Sequence, residues 1–288
     1  MNKMNQGPIY ILNLTINTLI NNPIVLYPIF LLSCIHLLFL EIIFFAPRFP
    51  LSQIFDPIII RAANPTFMHY PYNYILLVKW YHGLETLLYI LINCIFYAAV
   101  VGTISLINSN QAIEWGKIFK RSLNCYIPIV ASMVLTVISL QVFTFILDFF
   151  IKNVLLIDPT SSFFIIKKVI IIAIPYLHMF FAALAVSIFA FTIPIIVIEE
   201  YNFINAVRSN FLNYGSSIGL VLKINIISSL LYLPFVLDRV YFSDQRILQA
   251  PERSVLLLIL SIVMMLLIDV IQYTAITLCY LSQKEEQT

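Results

Sequence analysis

Six long apolar segments dominate the pattern of hydrophobic and polar positions along the chain. Each has at least roughly 20 mostly apolar residues, the length that crosses the hydrocarbon core of a bilayer as an α-helix. The segments are Ile24–Ala46, Gly83–Ile107, Ile127–Phe150, Val169–Ile198, Ser217–Leu237 and Ser254–Leu281. The fourth contains Pro175 and Pro194, so we expect a kink or a tilt there. The stretch between Ala46 and His82, rich in proline and aromatic residues, is expected to be a long loop.

Shorter amphipathic segments precede the first, third and fifth apolar segments. In Gln111–Leu123 one helical face carries Ala112, Trp115, Ile118, Phe119 and Leu123, opposite Lys117, Lys120 and Arg121. In Asn202–Tyr214 one face carries Phe203, Ile204, Val207, Phe211 and Tyr214, opposite Asn202, Asn205, Arg208 and Ser209. A weaker copy in Ile9–Ile20 clusters Ile9, Leu12, Ile16, Leu19 and Ile20. Such segments lie in the plane of the membrane interface, and we call them elbows.

The pattern therefore predicts an all-α membrane protein with six transmembrane helices and three interfacial elbow helices. A shift of about 88 residues carries the second elbow onto the third, which divides a single integral membrane domain (1–288) into pattern repeats at about 8–107, 111–198 and 202–281. Two crossings separate successive elbows, so all three are expected on one side. The candidate contacts with that membrane surface are Trp115, Lys117, Lys120, Arg121 and Arg208.

The composition fits a chain that has the bilayer as its solvent. Of the 288 residues, 61% are hydrophobic and 10% are charged, whereas soluble domains have about 45–50% apolar and about 25% charged residues. The net charge of +2 is small and the basic residues are scattered, which argues against a nucleic-acid partner. Basic residues are also similarly frequent on both predicted sides, so they do not indicate which side faces the cytoplasm.

One stretch carries a resemblance to a known family. Ile193–Leu222 combines a helix end with proline and apolar residues, two acidic residues, an elbow and a further helix. This succession resembles the YciC-like inner-membrane proteins and the membrane domain fused to some bacterial glycerophosphodiester phosphodiesterases. The resemblance implies a six-helix, multi-pass protein of the bacterial cytoplasmic (inner) membrane with its elbows facing the cytoplasm. It implies no activity, because the phosphodiesterase chemistry belongs to a separate barrel domain.

Polar side chains form a stripe on two of the predicted transmembrane helices. The sixth carries Asp269, Gln272, Tyr273, Thr277 and Tyr280, and the second carries His82, Glu85, Tyr89, Asn93 and Tyr97. Ionisable residues at membrane depth call for a functional hypothesis. If the two stripes meet, they form a candidate polar path through Glu85, Asn93, Asp269, Gln272 and Tyr273. Either Asp269 is a proton or cation site on a hydrated route, or the stripes are interhelical hydrogen bonds that fix the bundle.

The other polar positions give no catalytic constellation. His36 and Glu41 lie about 140° apart on a helix, so they do not form a site together. His178 stands alone on an apolar helix and is interpreted as a hydrogen-bonded core histidine. The sequence contains no phosphate-binding GxxxxGK[ST], no HExxH and no GxSxG. We therefore expect no enzyme activity, no cofactor and no metal site.

These patterns together lead to a functional expectation. The first hypothesis is a non-catalytic polytopic membrane protein that organises the membrane or envelope, or binds lipids or partner proteins. The alternative is a small-solute or ion permease that uses the polar path near Asp269. The expected partner is the lipid bilayer; other membrane proteins are a second partner class, and the oligomeric state is left open.

Overall fold

The structure, a computed structural model, describes residues 7–62, 65–156, 164–241 and 249–287. These residues form helices and turns, with no β-strand among them. The α-helices are α1 (Pro8–Asn21), α2 (Tyr27–Phe45), α3 (Ser52–Ala62), α4 (Tyr72–Leu88), α5 (Cys94–Asn108), α6 (Trp115–Asn124), α7 (Tyr126–Leu155), α8 (Phe164–Ile188), α9 (Thr192–Glu199), α10 (Phe203–Tyr214), α11 (Ile218–Ser229), α12 (Leu233–Tyr241) and α13 (Pro251–Gln287). A single π-helical turn, Tyr89–Asn93, joins α4 to α5.

Six helical stretches in the described part of the chain are long and apolar enough to cross a membrane, which confirms the predicted six-helix, all-α class. We call them the first to sixth spans: Pro23–Phe45, Tyr72–Asn108, Tyr126–Val154, Lys167–Glu199, Phe203–Leu237 and Pro251–Glu285.

The prediction of a loop from Ala46 to His82 was wrong for most of this stretch, which is helical. It contains α3, and the second span begins at Tyr72 rather than at Gly83. Lys79 and His82 interrupt the apolar pattern there, yet Leu77 and Tyr81 are buried, so packing supports a helix that the hydropathy of this stretch does not indicate.

The fourth span is interrupted near its carboxyl end, as expected for a proline-containing helix. α8 ends at Ile188 and α9 begins at Thr192. Pro194 has no N–H to donate, and its ring disfavours a helical carbonyl four residues earlier, at Ala190 within the break. Pro175 lies inside α8 without ending it.

The bundle has two unlike halves. α5 lies at its centre and contacts the first, third, fourth and sixth spans. All residues of Phe96–Ile104, Phe191–Val197 and Gln272–Thr277 are buried, and with the short helices α1, α6 and α10 these segments make up what we call the closed half. The open half comprises the rest of the third, fourth and sixth spans and the end of the fifth, where many apolar side chains are exposed, Phe145 to 72%.

The short helices α1, α6 and α10 pack in an equivalent way. α6 lies against α5, α10 lies against α9, and α1 lies against α13, so each contacts the end of an even-numbered span. Each buries residues four positions apart: Ile11 and Thr15 on α1, Ile118 and Ser122 on α6, and Ala206, Asn210 and Tyr214 on α10. The predicted second elbow began too early, because Gln111–Glu114 is not helical and α6 starts at Trp115.

The second and fourth spans also end alike. Asn110, just after α5, has a φ of 52°, and Glu200, just after α9, has a φ of 59°. Both are in the left-handed region, which reverses the chain at a helix end without glycine and is best tolerated by short polar residues such as asparagine. The reversal brings α6 and α10 back against the spans that precede them. α6 starts at Trp115, and α10 starts at Phe203, about 88 residues further along the chain.

Candidate functional site

A chain of hydrogen-bonded side chains crosses the centre of the bundle. His36, on the first span, lies between two residues of the second span. Its Nδ1 is 2.7 Å from the hydroxyl of Tyr81, and its Nε2 is 2.9 Å from Oδ1 of Asn93. All three side chains are fully buried. Because buried polar groups are costly unless they are paired, this contact ties the first span to the second.

The π-helical turn Tyr89–Asn93 lies next to this contact. Such a turn contains one residue more than a regular turn, which leaves a carbonyl without its usual helical partner. The carbonyl of Leu91 accepts a hydrogen bond of 3.1 Å from the hydroxyl of Tyr126, on the third span. The extra residue also rotates the two parts of the helix by about 100° relative to each other. Asn93 and Tyr97 therefore face a different direction from the one that a regular helix would give them.

The chain of hydrogen bonds continues from the second span to the sixth. Nδ2 of Asn93 donates to the hydroxyl of Tyr97 over 3.2 Å, and that hydroxyl donates to Oδ2 of Asp269. The ring of Tyr97 stacks on the ring of Tyr273, with centroids 4.3 Å apart and an interplanar angle of 20°. The two predicted stripes therefore meet at Tyr97, which contacts Asp269 and Tyr273 at once.

The five residues of the predicted polar path do not form one continuous row. Asn93, Asp269 and Tyr273 gather around Tyr97, as described above. Gln272 is turned toward the fifth span, where its Nε2 lies 3.4 Å from the carbonyl of Asn225. Glu85 pairs with His82: Oε2 of Glu85 is 3.1 Å from Nδ1 of His82.

Sequence reasoning missed two members of the chain, His36 and Tyr81. His36 was compared only with Glu41 on its own helix, whereas its partners lie 45 and 57 residues away. The available signal was the position of a lone histidine in the middle of an apolar segment, where an unpaired imidazole would be costly. Tyr81 gave no signal, because it was assigned to the loop.

Asp269 also borders a cleft between the fourth, fifth and sixth spans. The cleft has a volume of about 440 Å³, within the range of small-molecule sites. Its described lining is mostly apolar and is formed by Pro175, His178, Met179, Ala182, Ser229, Tyr232, Val236, Met265, Ile268, Asp269 and Gln272. It extends from the middle of the sixth span into the open half.

His178 is not the core histidine that the sequence predicted. Its side chain is 37% exposed and lines the cleft, and its Nε2 is 4.0 Å from Oδ1 of Asp148 on the third span. A helix that is apolar in sequence does not have to be buried in a membrane protein, because the faces that contact lipid are as apolar as the faces that pack in the core. Position in an apolar segment is therefore a poor guide to burial here.

A polar break interrupts the closed half. Asn210, fully buried on α10, pairs with both sides of the gap between α8 and α9. Its Oδ1 accepts from the backbone N–H of Phe191 over 3.2 Å, and its Nδ2 donates to the carbonyl of Ile188 over 2.8 Å. Backbone groups at membrane depth need partners. One amide side chain thus satisfies a donor and an acceptor that the broken helix leaves.

Charged residues meet where the even-numbered spans end in the closed half. Nη2 of Arg121 is 3.2 Å from Oε1 of Glu200 and donates over 3.1 Å to the carbonyl of Ile198, in the last turn of α9. Nζ of Lys284 is 3.1 Å from Oε1 of Glu199. The cluster joins α6 and the sixth span to the end of the fourth, and cations near a helix carboxyl end are favourable.

The five predicted membrane-surface residues divide into two groups. Arg121 and Trp115 contact the protein: Arg121 belongs to the charged cluster, and the ring of Trp115 lies 4.8 Å from that of Tyr27. Lys117, Lys120 and Arg208 are exposed. Lys117 pairs with Glu114 over 2.8 Å.

Cys125 lies beside the charged cluster, and its surroundings do not activate its thiol as a nucleophile. Burial, together with the carboxylate of Glu200, raises the pKa of Cys125, against the opposing effect of Arg121. A thiol whose pKa is raised is less often present as the reactive thiolate. Among the described residues, no group of three or more His, Cys, Asp or Glu side chains could hold a metal ion.

The described side chains can therefore form hydrogen bonds and ion pairs with one another, and the cleft can bind a ligand. Comparison of the chain with protein-family models, with curated proteins and with solved structures finds no match to any of them.

Proposed function

We propose that the protein is a non-catalytic, multi-pass component of the bacterial cytoplasmic membrane. In this proposal α1, α6 and α10 are the three elbows and lie in one membrane interface, where they bind anionic lipids. The fifth span then crosses the bilayer with its remaining residues, 218–237, and α10 is its interfacial start. The observation that carries it is the set of exposed apolar side chains on these helices, together with exposed cations on α6 and α10.

The exposed apolar side chains are large, and they lie on the faces that the sequence predicts for the interface. Ile9 on α1 is 76% exposed, and Ile204 on α10 is 73% exposed. On α1 and α10 the buried pairs beginning at Ile11 and Ala206 contact the rest of the protein. On α6 the predicted apolar face itself packs against the protein through Ile118 and Phe119, and Leu123 at its end is exposed. The exposed apolar side chains of the three helices are left for the acyl boundary of the bilayer.

Exposed cations supply the second part of the proposal. Lys117 and Lys120 are exposed on α6, and Arg208 is exposed on α10. Basic residues near an anionic bilayer surface contribute about 1 kcal/mol each to lipid attraction. The resemblance to YciC-like inner-membrane proteins supports the cytoplasmic side for these helices, because the elbows of that family face the cytoplasm.

Lipid contact at α6 can be measured with Trp115 as the reporter. The test uses full-length protein in nanodiscs, in a Trp80→Phe background that leaves Trp115 as the only tryptophan. We expect brominated phosphatidylglycerol to quench Trp115 more strongly than brominated phosphatidylcholine at the same mole fraction. The preference should disappear in Lys117→Gln/Lys120→Gln, because the cations that attract the anionic headgroup are gone.

The matched control is Lys152→Gln/Lys168→Gln, which removes the same charge from exposed positions on the third and fourth spans. It should keep the preference for the anionic lipid. Equal quenching by both lipids in the parent protein, or equal loss in both double variants, contradicts the proposal. Circular dichroism of each variant verifies that the helices are intact.

The second candidate is the small-solute or ion permease that uses Asp269. It is favoured by the position of Asp269 on the cleft. It ranks second because Asn93 and Tyr97, both fully buried, fill the space between Asp269 and His36 with direct hydrogen bonds. Flux of a small cation into proteoliposomes that Asp269→Asn abolishes would favour the permease over the first candidate.

A further inference from the structure

We propose that the cleft beside Asp269 binds lipophilic organic cations, with the ammonium or phosphonium centre at the carboxylate and the apolar groups among the methionines. The site is independent of the proposed interfacial role of α1, α6 and α10. It is defined by the cleft residues Met179, Tyr232, Met265 and Asp269.

The direction of the hydrogen bonds makes Asp269 an acceptor. Asn93 uses its Nδ2 to donate to Tyr97, so the Tyr97 hydroxyl is left to donate to Asp269. Oδ1 of Asn93 then accepts from Nε2 of His36, and Nδ1 of His36 accepts from the hydroxyl of Tyr81. Every donor in the chain points toward Asp269. The aligned dipoles favour a negative carboxylate at the wall of the cleft.

A negative carboxylate at membrane depth requires a compensating partner. The other ionisable side chains on the cleft are His178 and Tyr232. His178 faces the carboxylate of Asp148 at 4.0 Å, so any positive charge on it is already opposed by a second acid. A cationic ligand in the cleft would complement the charge that Asp269 presents.

The rest of the lining suits an organic cation rather than a bare metal ion. Met179 and Met265 are flexible and polarisable, which lets one site adapt to ligands of different shape. The Tyr232 side chain supplies an aromatic ring to the same cleft. Rings of this kind bind quaternary and phosphonium cations through cation–π attraction. Hard inorganic cations prefer about six or more oxygen ligands, a number that this mostly apolar lining does not approach.

The depth of the site selects lipophilic molecules. Asp269 lies near the middle of the sixth span, Pro251–Glu285, and so about 25 Å along the helix from either end. Phospholipid headgroups stay at the interface and do not reach this depth. A cation whose charge is spread over apolar groups can reach it from the acyl region. The volume of about 440 Å³ accommodates such a molecule.

The experiment measures equilibrium binding of radiolabelled tetraphenylphosphonium to the full-length protein in nanodiscs. We expect saturable binding that weakens by at least about tenfold in Asp269→Asn, because the paired charge is lost. Glu41→Gln is the matched control: it removes an exposed acid on the first span that does not line the cleft, and it should bind as the parent protein does. Ala182→Trp fills the cleft but retains Asp269, and it should also lose binding.

Two further measurements make the result decisive. Thermal unfolding of each variant shows whether it is folded. Lost binding in folded Asp269→Asn then reports the missing charge. Lost binding in folded Ala182→Trp, which keeps the carboxylate, locates the ligand in the cleft. Tetraphenylborate, the anion of the same shape, should not bind saturably. Equal binding of the cation by all variants, or equal saturable binding of the anion, overturns the proposal, because either result indicates simple partition into apolar surroundings.

Discussion

The closed and open halves of the bundle treat polar groups in opposite ways. In the closed half Asn210 is buried and pairs with two backbone groups, and Arg121 pairs with both a carboxylate and a carbonyl. In the open half Asp269 and His178 border a cleft of about 440 Å³. The same chain thus uses polar residues as structural ties at one end and leaves them accessible at the other.

The difference follows from how closely the helices approach. The closed half has three extra short helices wedged against the ends of the even-numbered spans, so its side chains are surrounded on several sides. In the open half the third span packs mainly against the fourth, which also packs against the fifth, and residues such as Phe145 and Ile172 are exposed. Lipid has to complete the packing there. A ligand can compete with lipid, but it cannot compete with a buried side chain.

The largest effect is expected when the hydrogen bonds of Asn210 in the closed half are removed. Asn210→Leu leaves the N–H of Phe191 and the carbonyl of Ile188 without their partner in a packed region. Each buried group left unpaired costs about 1–3 kcal/mol, so thermal unfolding in nanodiscs should shift strongly downward. Asn213→Leu, an exposed asparagine on the same helix, is the control and should have little effect. Equal destabilisation by the two substitutions would mean that the break is satisfied in another way.

An intermediate effect is expected for the hydrogen-bonded chain at the centre. His36→Phe removes one hydrogen-bond partner from Tyr81 and one from Asn93, both fully buried, and should lower the free energy of unfolding by about 1–3 kcal/mol. His178→Phe makes the same change on the cleft, where solvent or lipid can replace the lost contact, and should stay within about 0.5 kcal/mol. Thermal unfolding of both variants measures the contrast. If His178→Phe is as costly as His36→Phe, the two halves do not differ as described.

Much of the fold was predictable because spans and helix periods are local properties of the sequence. The six spans follow from apolar runs of sufficient length, and the break near Pro194 follows from the chemistry of proline. The second span was started too late because Lys79 and His82 lower its hydropathy, while the packing of Tyr81 that sustains the helix depends on residues from another helix. Hydropathy measures what a segment can bury, not what surrounds it.

The candidate site was only partly predictable, because its geometry depends on contacts between distant helices. Asp269 was identified because an acid in an apolar helix is conspicuous in the sequence. Asn210 is one of several asparagines in the amphipathic segment Asn202–Tyr214, and it is buried against a helix break that no local pattern indicates. The π-helical turn at Tyr89–Asn93 changes the direction of the side chains after it, and no local pattern in the sequence indicates such a turn.

The smallest expected effect concerns the charged cluster at the ends of the even-numbered spans in the closed half. Arg121 and Glu200 are 37% and 68% exposed, so their pairing should contribute only about 0.2–1 kcal/mol in a double-mutant cycle of Arg121→Gln and Glu200→Gln. The coupling should shrink between low and high salt, because exposed charges are screened. Lys117 and Glu114, a more exposed pair within one helical turn, are the control and should couple no more strongly.

The two single substitutions should nevertheless be unequal. Arg121→Gln should cost more than Glu200→Gln, since Arg121 also donates to the carbonyl of Ile198 and thereby holds α6 against the end of the fourth span. A salt-independent difference between the two would assign the tie to that backbone hydrogen bond. If the whole effect vanished at high salt, the cluster would be a screened surface pair, and the rigidity of the closed half would depend on burial and Asn210 alone.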